Sequence, residues 1–259
     1  MLLELPEKIE EISYCDLSEE QMELYRKVYL QQKESLFQEL EDKSKPVPYM
    51  HVFALLSTLK QICDHPCLIT KKFEDFQKYR SGKWDLFVEL LQEVRDSGQK
   101  LVVFSQYLDM LNMIERYLTE NNIGFCGIRG STRNRKAQLE QFRDDPKSEV
   151  FVASLQAVGV GVDLVSASVV IHYDRWWNPA RENQATDRVH RIGQNRGVQV
   201  FKLVTKGTVE EHIHRIIEKK MVLAEGIIGY DDQDQIKGLG RQELLELLWL
   251  IDQDLSVSN

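Results

Sequence analysis

Residues 184–194, Gln-Ala-Thr-Asp-Arg-Val-His-Arg-Ile-Gly-Gln, hold the densest set of groups able to act on a charged ligand. On a helix over 178–191, Gln184, Arg188 and Arg191 fall at i, i+4 and i+7, so one face presents an amide and two guanidiniums. A guanidinium bonds two phosphate oxygens at once, which suits this face to a multiply charged phosphate. A plain surface helix, with Glu182 and Asp187 neutralising the arginines, would carry the same residues.

Three other stretches point the same way. After an apolar run ending at Ser154, Gly159 and Gly161 allow close backbone approach to a ligand. As a dinucleotide fingerprint this fails, because Leu164 stands where the third glycine belongs. In Arg-Gly-Ser-Thr-Arg-Asn-Arg (129–135), Gly130, Ser131 and Thr132 open a helix beside Arg133 and Arg135, a pocket suited to a backbone phosphate or a plain N-cap. Ser105 and Gln106 sit at the carboxyl end of the strand 101–105, the edge where ligands of open α/β sheets gather. Trp176 and Trp177 precede Asn178-Pro179, a helix start with Pro at its first position; the pair reads as core or docking face ahead of a nucleic-acid contact.

Some signals carry little. Cys63, His65 and Cys67 are too closely spaced for a zinc finger, and with only four cysteines in the chain they read as buried thiols. His212 and His214, two apart on a helix, face different ways. The only Gly-Lys, in Ser-Gly-Lys-Trp (81–84), lacks the preceding glycine of a phosphate loop. No DExH, GxSxG or HExxH occurs either, so an enzyme built on this chain needs machinery from elsewhere.

The elements that must position these residues follow from hydrophobic period. Short runs rich in Val, Ile and Phe at 101–105, 125–128, 150–154, 169–174 and 198–204 alternate with helices at 106–121, 133–143 and 178–191. That alternation predicts an α/β fold with a mostly parallel sheet covered by helices on both faces. Further helices at 18–40, 50–62, 82–97, 208–226 and 241–251 flank it. The expected organisation is a helical extension over 1–79, the α/β domain over 80–206, and a helix with tail over 207–259.

With 259 residues, 42% of them hydrophobic and 29% charged, the chain is large enough for a substantial core and is not disordered. No run of 18 apolar residues and no signal-peptide start are present, so it reads as soluble and intracellular, with no membrane partner. The net charge of −8 excludes a protein that coats nucleic acid by bulk charge. Residues 175–220 nevertheless hold 10 basic against 5 acidic side chains, a local anion site.

Together these motifs resemble the C-terminal helicase lobe of the SWI/SNF family of DNA-translocating ATPases. Residues 184–194 match every fixed position of that family's QAxDRxHRxGQ signature. Leu-Lys-Gln-Ile-Cys-Asp-His-Pro (59–66), Ser-Gly-Lys (81–83), 101–111, Gly-Ser-Thr (130–132), Trp-Asn-Pro (177–179) and 201–213 match further motifs in the family's order. Val158 and Asp163 depart from its Ala-Gly-Gly-x-Gly-x-Asn-Leu, and Arg129 stands where an Asp often precedes Gly-Ser-Thr.

The resemblance implies a RecA-like lobe that closes on a first lobe carrying the phosphate loop and the Mg²⁺ carboxylates, so ATP and Mg²⁺ would be bound mainly there. Arg188 and Arg191 would be arginine fingers supported by Gln184, and Gly159, Gly161 and Asp163 would line the ATP cleft. Ser105, Gln106, Gly130, Ser131, Thr132, Arg135 and Ser154 would touch the backbone of double-stranded DNA, with Trp177 and Asn178 beside them. The setting would be the nucleus in a eukaryote and the nucleoid or cytoplasm in a bacterium. The competing reading is a non-catalytic nucleic-acid-binding or regulatory module with a helicase-like fold.

Overall fold

The computed structural model describes residues 5–159, 161–223 and 236–257. The chain forms two compact units, one of residues 1–13, 85–174 and 180–203, the other of 14–84, 175–179 and 204–259. No helix among the described residues is long and apolar enough to cross a membrane.

The first unit is organised by a six-stranded sheet. Its strands are β1 (Lys8–Cys15), β2 (Leu101–Ser105), β3 (Gly124–Ile128), β4 (Ser148–Ser154), β5 (Val169–His172) and β6 (Val198–Thr205). Their order in space is β1-β6-β5-β2-β4-β3. All pairings are parallel, with Leu101 opposite both Val150 and Val169, and Val169 opposite Gln199. Central β2 and β5 are buried at every residue, which is why they read as unbroken apolar runs in the sequence. Helix α5 (Leu108–Glu120) covers the sheet with Met110, Leu111, Ile114 and Leu118, one helical stripe.

Because every strand runs the same way, Ser105, Ile128, Ser154 and His172 end at one edge, and the connecting loops collect there. The expected strand 169–174 stops at His172, and the helices expected from 106 and 133 begin at Leu108 and Arg135. Edge strand β1 was not anticipated.

The second unit is helical. Helix α1 (Glu19–Glu41) opens on a capping box between Ser18 and Gln21. Tyr25, Tyr29, Leu36 and Leu40 of α1 meet Leu55, Leu56, Leu59 and Ile62 of α2 (Tyr49–Asp64). The same core takes in Val209, Ile213 and Ile217 of one further helix and Leu244, Leu247, Leu248 and Ile251 of another, α9 (Arg241–Val257). The former, α8 (Val209–Leu223), covers the described part of the helix expected at 208–226, and α9 runs six residues past its expected end at 251. The remaining helices are α3 (Cys67–Thr70) in this unit, α4 (Gly82–Asp96), and α6 (Arg135–Asp144) and α7 (Pro179–Thr186) flanking the sheet.

The Lys83 ammonium is fully buried between carboxylates, 2.8 Å from Asp64 Oδ1 and 2.5 Å from Glu210 Oε1. Burial alone would lower its pKa, but the two carboxylates prevail and hold it well above the ordinary lysine value. Both Cys63 and Cys67 are buried, and burial pushes both thiols up, Cys67 to about 11.

His65 is fully buried beside the rings of Phe76, Tyr79 and Trp84. Its Nδ1 accepts from the Cys67 N–H at 3.2 Å, and burial holds its pKa down at about 4. The unfolded chain takes up a proton near pH 6.5 that the folded chain refuses, so stability is complete above that pH and declines as pH falls toward 4. The loss attributable to His65 is about 3 kcal/mol over that window. Chemical denaturation at pH 7, 6, 5 and 4 should show a shallower decline for His65→Asn than for the parent; equal slopes would remove His65 as the cause.

Candidate functional site

The candidate arginines lie in the sheet unit, but not on one helical face. Helix α7 ends at Thr186, and Arg188 and Arg191 follow in tight turns, which corrects the expected helix over 178–191. The Arg188 N–H donates to Ala185 O at 3.1 Å, three residues back rather than four. The Arg188 carbonyl, which a continuing helix would offer to Ile192, accepts instead from the Leu164 N–H at 3.0 Å. Thr186 Oγ1 lies 2.9 Å from His172 Nε2 at the end of β5, and Gly193, at φ +108°, turns the chain back toward β6.

In this turn Gln184 and Arg191 are exposed and Arg188 is half-buried. The Arg188 Nε is enclosed and has no hydrogen-bond partner among the described residues. Neither arginine forms an ion pair among those residues, so Glu182 and Asp187 do not neutralise them. That disfavours the plain surface-helix reading, because a cation enclosed without a counter-ion is costly.

The Leu164–Arg188 bond brings the loop after β4 to the arginine turn. There Gly159 is half-buried, Gly161 takes φ +87°, and exposed Asp163 accepts from the Val165 N–H at 3.3 Å. A side chain at Gly161 would strain that backbone. Arg135 reaches this loop from α6, with its guanidinium 3.5 Å from Ala157 O, 3.4 Å from Arg129 O and 3.5 Å from Gly130 O. Gly130 and Ser131 are exposed. They and Thr132 occupy a turn closed by Thr132 Oγ1 accepting from the Arg129 N–H at 2.9 Å, so α6 opens three residues after Thr132 and not on it. Arg129 is held by Glu115 at 2.6 Å.

Ser105 departs further from expectation. It is fully buried, its hydroxyl donates to Asp174 Oδ2, and its oxygen accepts from the Tyr107 N–H at 3.1 Å. Its proton is committed inward, so the hydroxyl does not face a DNA strand. Gln106 is half-buried, and its N–H faces the same carboxylate at 3.3 Å. Buried Asp174 is the organising group of this strand end, and sequence reasoning missed it; a carboxylate two residues past the end of a fully buried strand was the available signal. Ser154, opposite Ser105 in register, is only 5% exposed.

Trp177 and Asn178 belong to the other unit. Trp177 packs in the helical core with Tyr25, Leu59 and Ile213, so its ring is closed to a nucleic-acid strand and its place among the DNA contacts is corrected to core. Asn178 is 6% exposed.

The comparisons with known proteins follow this geometry. Residues 82–193 match the helicase conserved C-terminal domain, and residues 2–68 match the SNF2-related domain. The putative ATP-dependent helicase/translocase YwqA of Bacillus subtilis is 39% identical over 256 residues, covering 96% of this chain and 27% of its own. The chain thus spans about a quarter of the curated relatives it matches. The Sulfolobus solfataricus SWI2/SNF2 ATPase core, solved in complex with dsDNA, is 34% identical with a TM-score of 0.75, over 95% of this chain and 51% of that one. The C-terminal domain of the same ATPase is 33% identical with a TM-score of 0.71, over 93% of this chain and 98% of that domain. A RecA-like parallel sheet, an arginine turn bearing the full signature and a match along nearly the whole of that domain have one meaning: the chain belongs to the SWI/SNF helicase family, as a helicase C-terminal domain.

Proposed function

We propose that the chain is the second motor lobe of an ATP-dependent double-stranded DNA translocase or remodeller. The observation that carries this reading is Arg188, half-enclosed, with an unpartnered Nε and no counter-ion among the described residues. Such a cation lowers its energy by meeting an anion, and the γ-phosphate of ATP held by a first lobe supplies one. Arg188 and Arg191 act as arginine fingers there, with Gln184 beside them and Gly159, Gly161 and Asp163 lining the approach. ATP and its Mg²⁺ are held mainly by the first lobe, and the residues present fit the nucleotide through guanidiniums that have no ion-pair partner among the described residues.

DNA meets the same sheet edge through groups that stay accessible: Gln106, Gly130, Ser131, Thr132 and Arg135, with Ser154 behind them. Contacts of this kind go to phosphates and read no sequence. The relative solved with dsDNA supports that partner. Within the lobe, residues 80–206 together with edge strand β1 form the motor fold, and 207–259 follow as a helical extension.

The test is turnover. The 259-residue chain alone should hydrolyse almost no ATP with or without DNA, and joining it to the first lobe should produce DNA-stimulated hydrolysis. Robust DNA-stimulated turnover by the chain alone, or none by the joined protein, would overturn the proposal.

A further inference from the structure

We infer that Gln194 is a positioning residue: it clasps the arginine turn to the loop after β4 and so sets the aim of Arg188. The inference rests on the reading of Arg188 as a phosphate-binding cation and adds the group that holds it.

Gln194 is 7% exposed, and both ends of its amide are used. Its Nε2 lies 2.7 Å from Ala167 O and 3.2 Å from both Val165 O and Val189 O. Its Oε1 accepts from the N–H groups of Asn195 at 2.9 Å and Arg196 at 3.0 Å. One side chain therefore serves three segments: the run into β5, the arginine turn and the run into β6. None of these backbone groups sits in a helix or strand ladder, and left enclosed without a partner each would be unfavourable.

The clasp acts where the guanidinium cannot help itself. Val189 O goes to Gln194 while the neighbouring Arg188 O goes to Leu164, so two successive carbonyls of the turn are tied to residues 164–167 and their clasp. The Arg188 side chain makes no hydrogen bond of its own among the described residues, so its backbone determines where its charge points. A misplacement of about 1 Å at a reacting centre lowers rates by roughly 10²-fold. Only an amide both donates to carbonyls and accepts from N–H groups at this spot; a carboxylate would face Val165 O, Ala167 O and Val189 O with no proton.

The test uses the two-lobed protein, comparing Gln194→Ala, the isosteric Gln194→Glu, Arg188→Ala and the Gln194→Ala/Arg188→Ala double variant. DNA-stimulated kcat, the KM for ATP and thermal melting are measured on the same preparations. Both Gln194 variants should lose about 10- to 100-fold in kcat with KM within about twofold of the parent. In the Arg188→Ala background the Gln194 change should cost nothing further, because the residue acts only through that guanidinium. A lowered melting temperature with normal kcat, loss of cooperative melting in both Gln194 variants, or an undiminished extra loss in the double variant would each overturn the inference. Normal turnover in Arg188→Ala would instead remove the arginine-finger reading, and the clasp's catalytic role with it.

Discussion

Arg188→Ala and Arg191→Ala, made in the two-lobed protein, should each lower DNA-stimulated kcat on the order of 10²-fold or more while leaving ATP and DNA binding close to normal. In the proposed arrangement nucleotide binding would depend mainly on the first lobe, and DNA binding on phosphate contacts elsewhere along the sheet edge. As arginine fingers they would act on charge that develops on the transferring phosphoryl group, where water is a poor substitute. Arg→Lys should recover little, because an ammonium does not reproduce the two parallel N–H donors of a guanidinium. Arg116→Ala, on an exposed helix face with its charge paired to Glu120, is the control and should turn over normally. The alternative, that these arginines serve only the fold, requires Arg188→Ala to melt earlier with normal specific activity in its folded fraction. Melting and ATPase measured on the same preparations separate the two outcomes.

A loss of comparable size, in stability instead of rate, is expected for Lys83→Met. It leaves Asp64 and Glu210 enclosed and facing each other without the ammonium between them. Removing one partner of a buried ion cluster costs about 3–5 kcal/mol, which corresponds to a fall in melting temperature on the order of 10 °C. Glu210 Oε2 also accepts from the Thr205 N–H at 3.0 Å, so its carboxylate is not free to swing toward water. Neutralising the cluster together, as Lys83→Met/Asp64→Asn/Glu210→Gln, should recover much of the loss. Melting followed by circular dichroism decides it: a fall of less than about 3 °C would mean that the site admits water and does not depend on the ion cluster.

The legible parts of the fold were those with a local cause. Strands β2 and β5 announce themselves because burial on two faces demands apolar runs, and the paired spacing of Tyr25 and Tyr29, Leu36 and Leu40 marks the inner stripe of α1. What stayed hidden depends on partners far away in the chain. β1, Lys-Ile-Glu-Glu-Ile-Ser-Tyr-Cys, is exposed or half-buried at all but Cys15 and breaks the apolar alternation at Glu10-Glu11, and its neighbour β6 comes about 190 residues later. Nothing within Arg-Val-His-Arg-Ile stops a helix; the stop is supplied by Leu164, which takes the carbonyl that a further turn would need.

The site shows the same division. Residue types alone suggested an anion site around Arg188 and Arg191; the structure adds that Arg188 Nε has no hydrogen-bond partner among the described residues. Ser105 looked accessible because strand ends usually are, yet Asp174, on a neighbouring strand's exit, draws its hydroxyl inward. Lys83 sits in a Gly-Lys pair that invites a phosphate reading, whereas its carboxylates lie 19 and 127 residues away in sequence.

The division of the chain into units has a consequence for inheritance and engineering. The backbone passes from one unit to the other after Ser13, Trp84, Asp174, Pro179 and Leu203, so each unit is assembled from three separate stretches. No single truncation can yield either unit whole, and a crossover anywhere between residues 14 and 203 mixes both. A library of chimeras with a relative, cut at positions between residues 14 and 203, should therefore be poor in soluble members. A swap that carries the signature with its upstream residues would also replace 175–179, which belong to the helical unit.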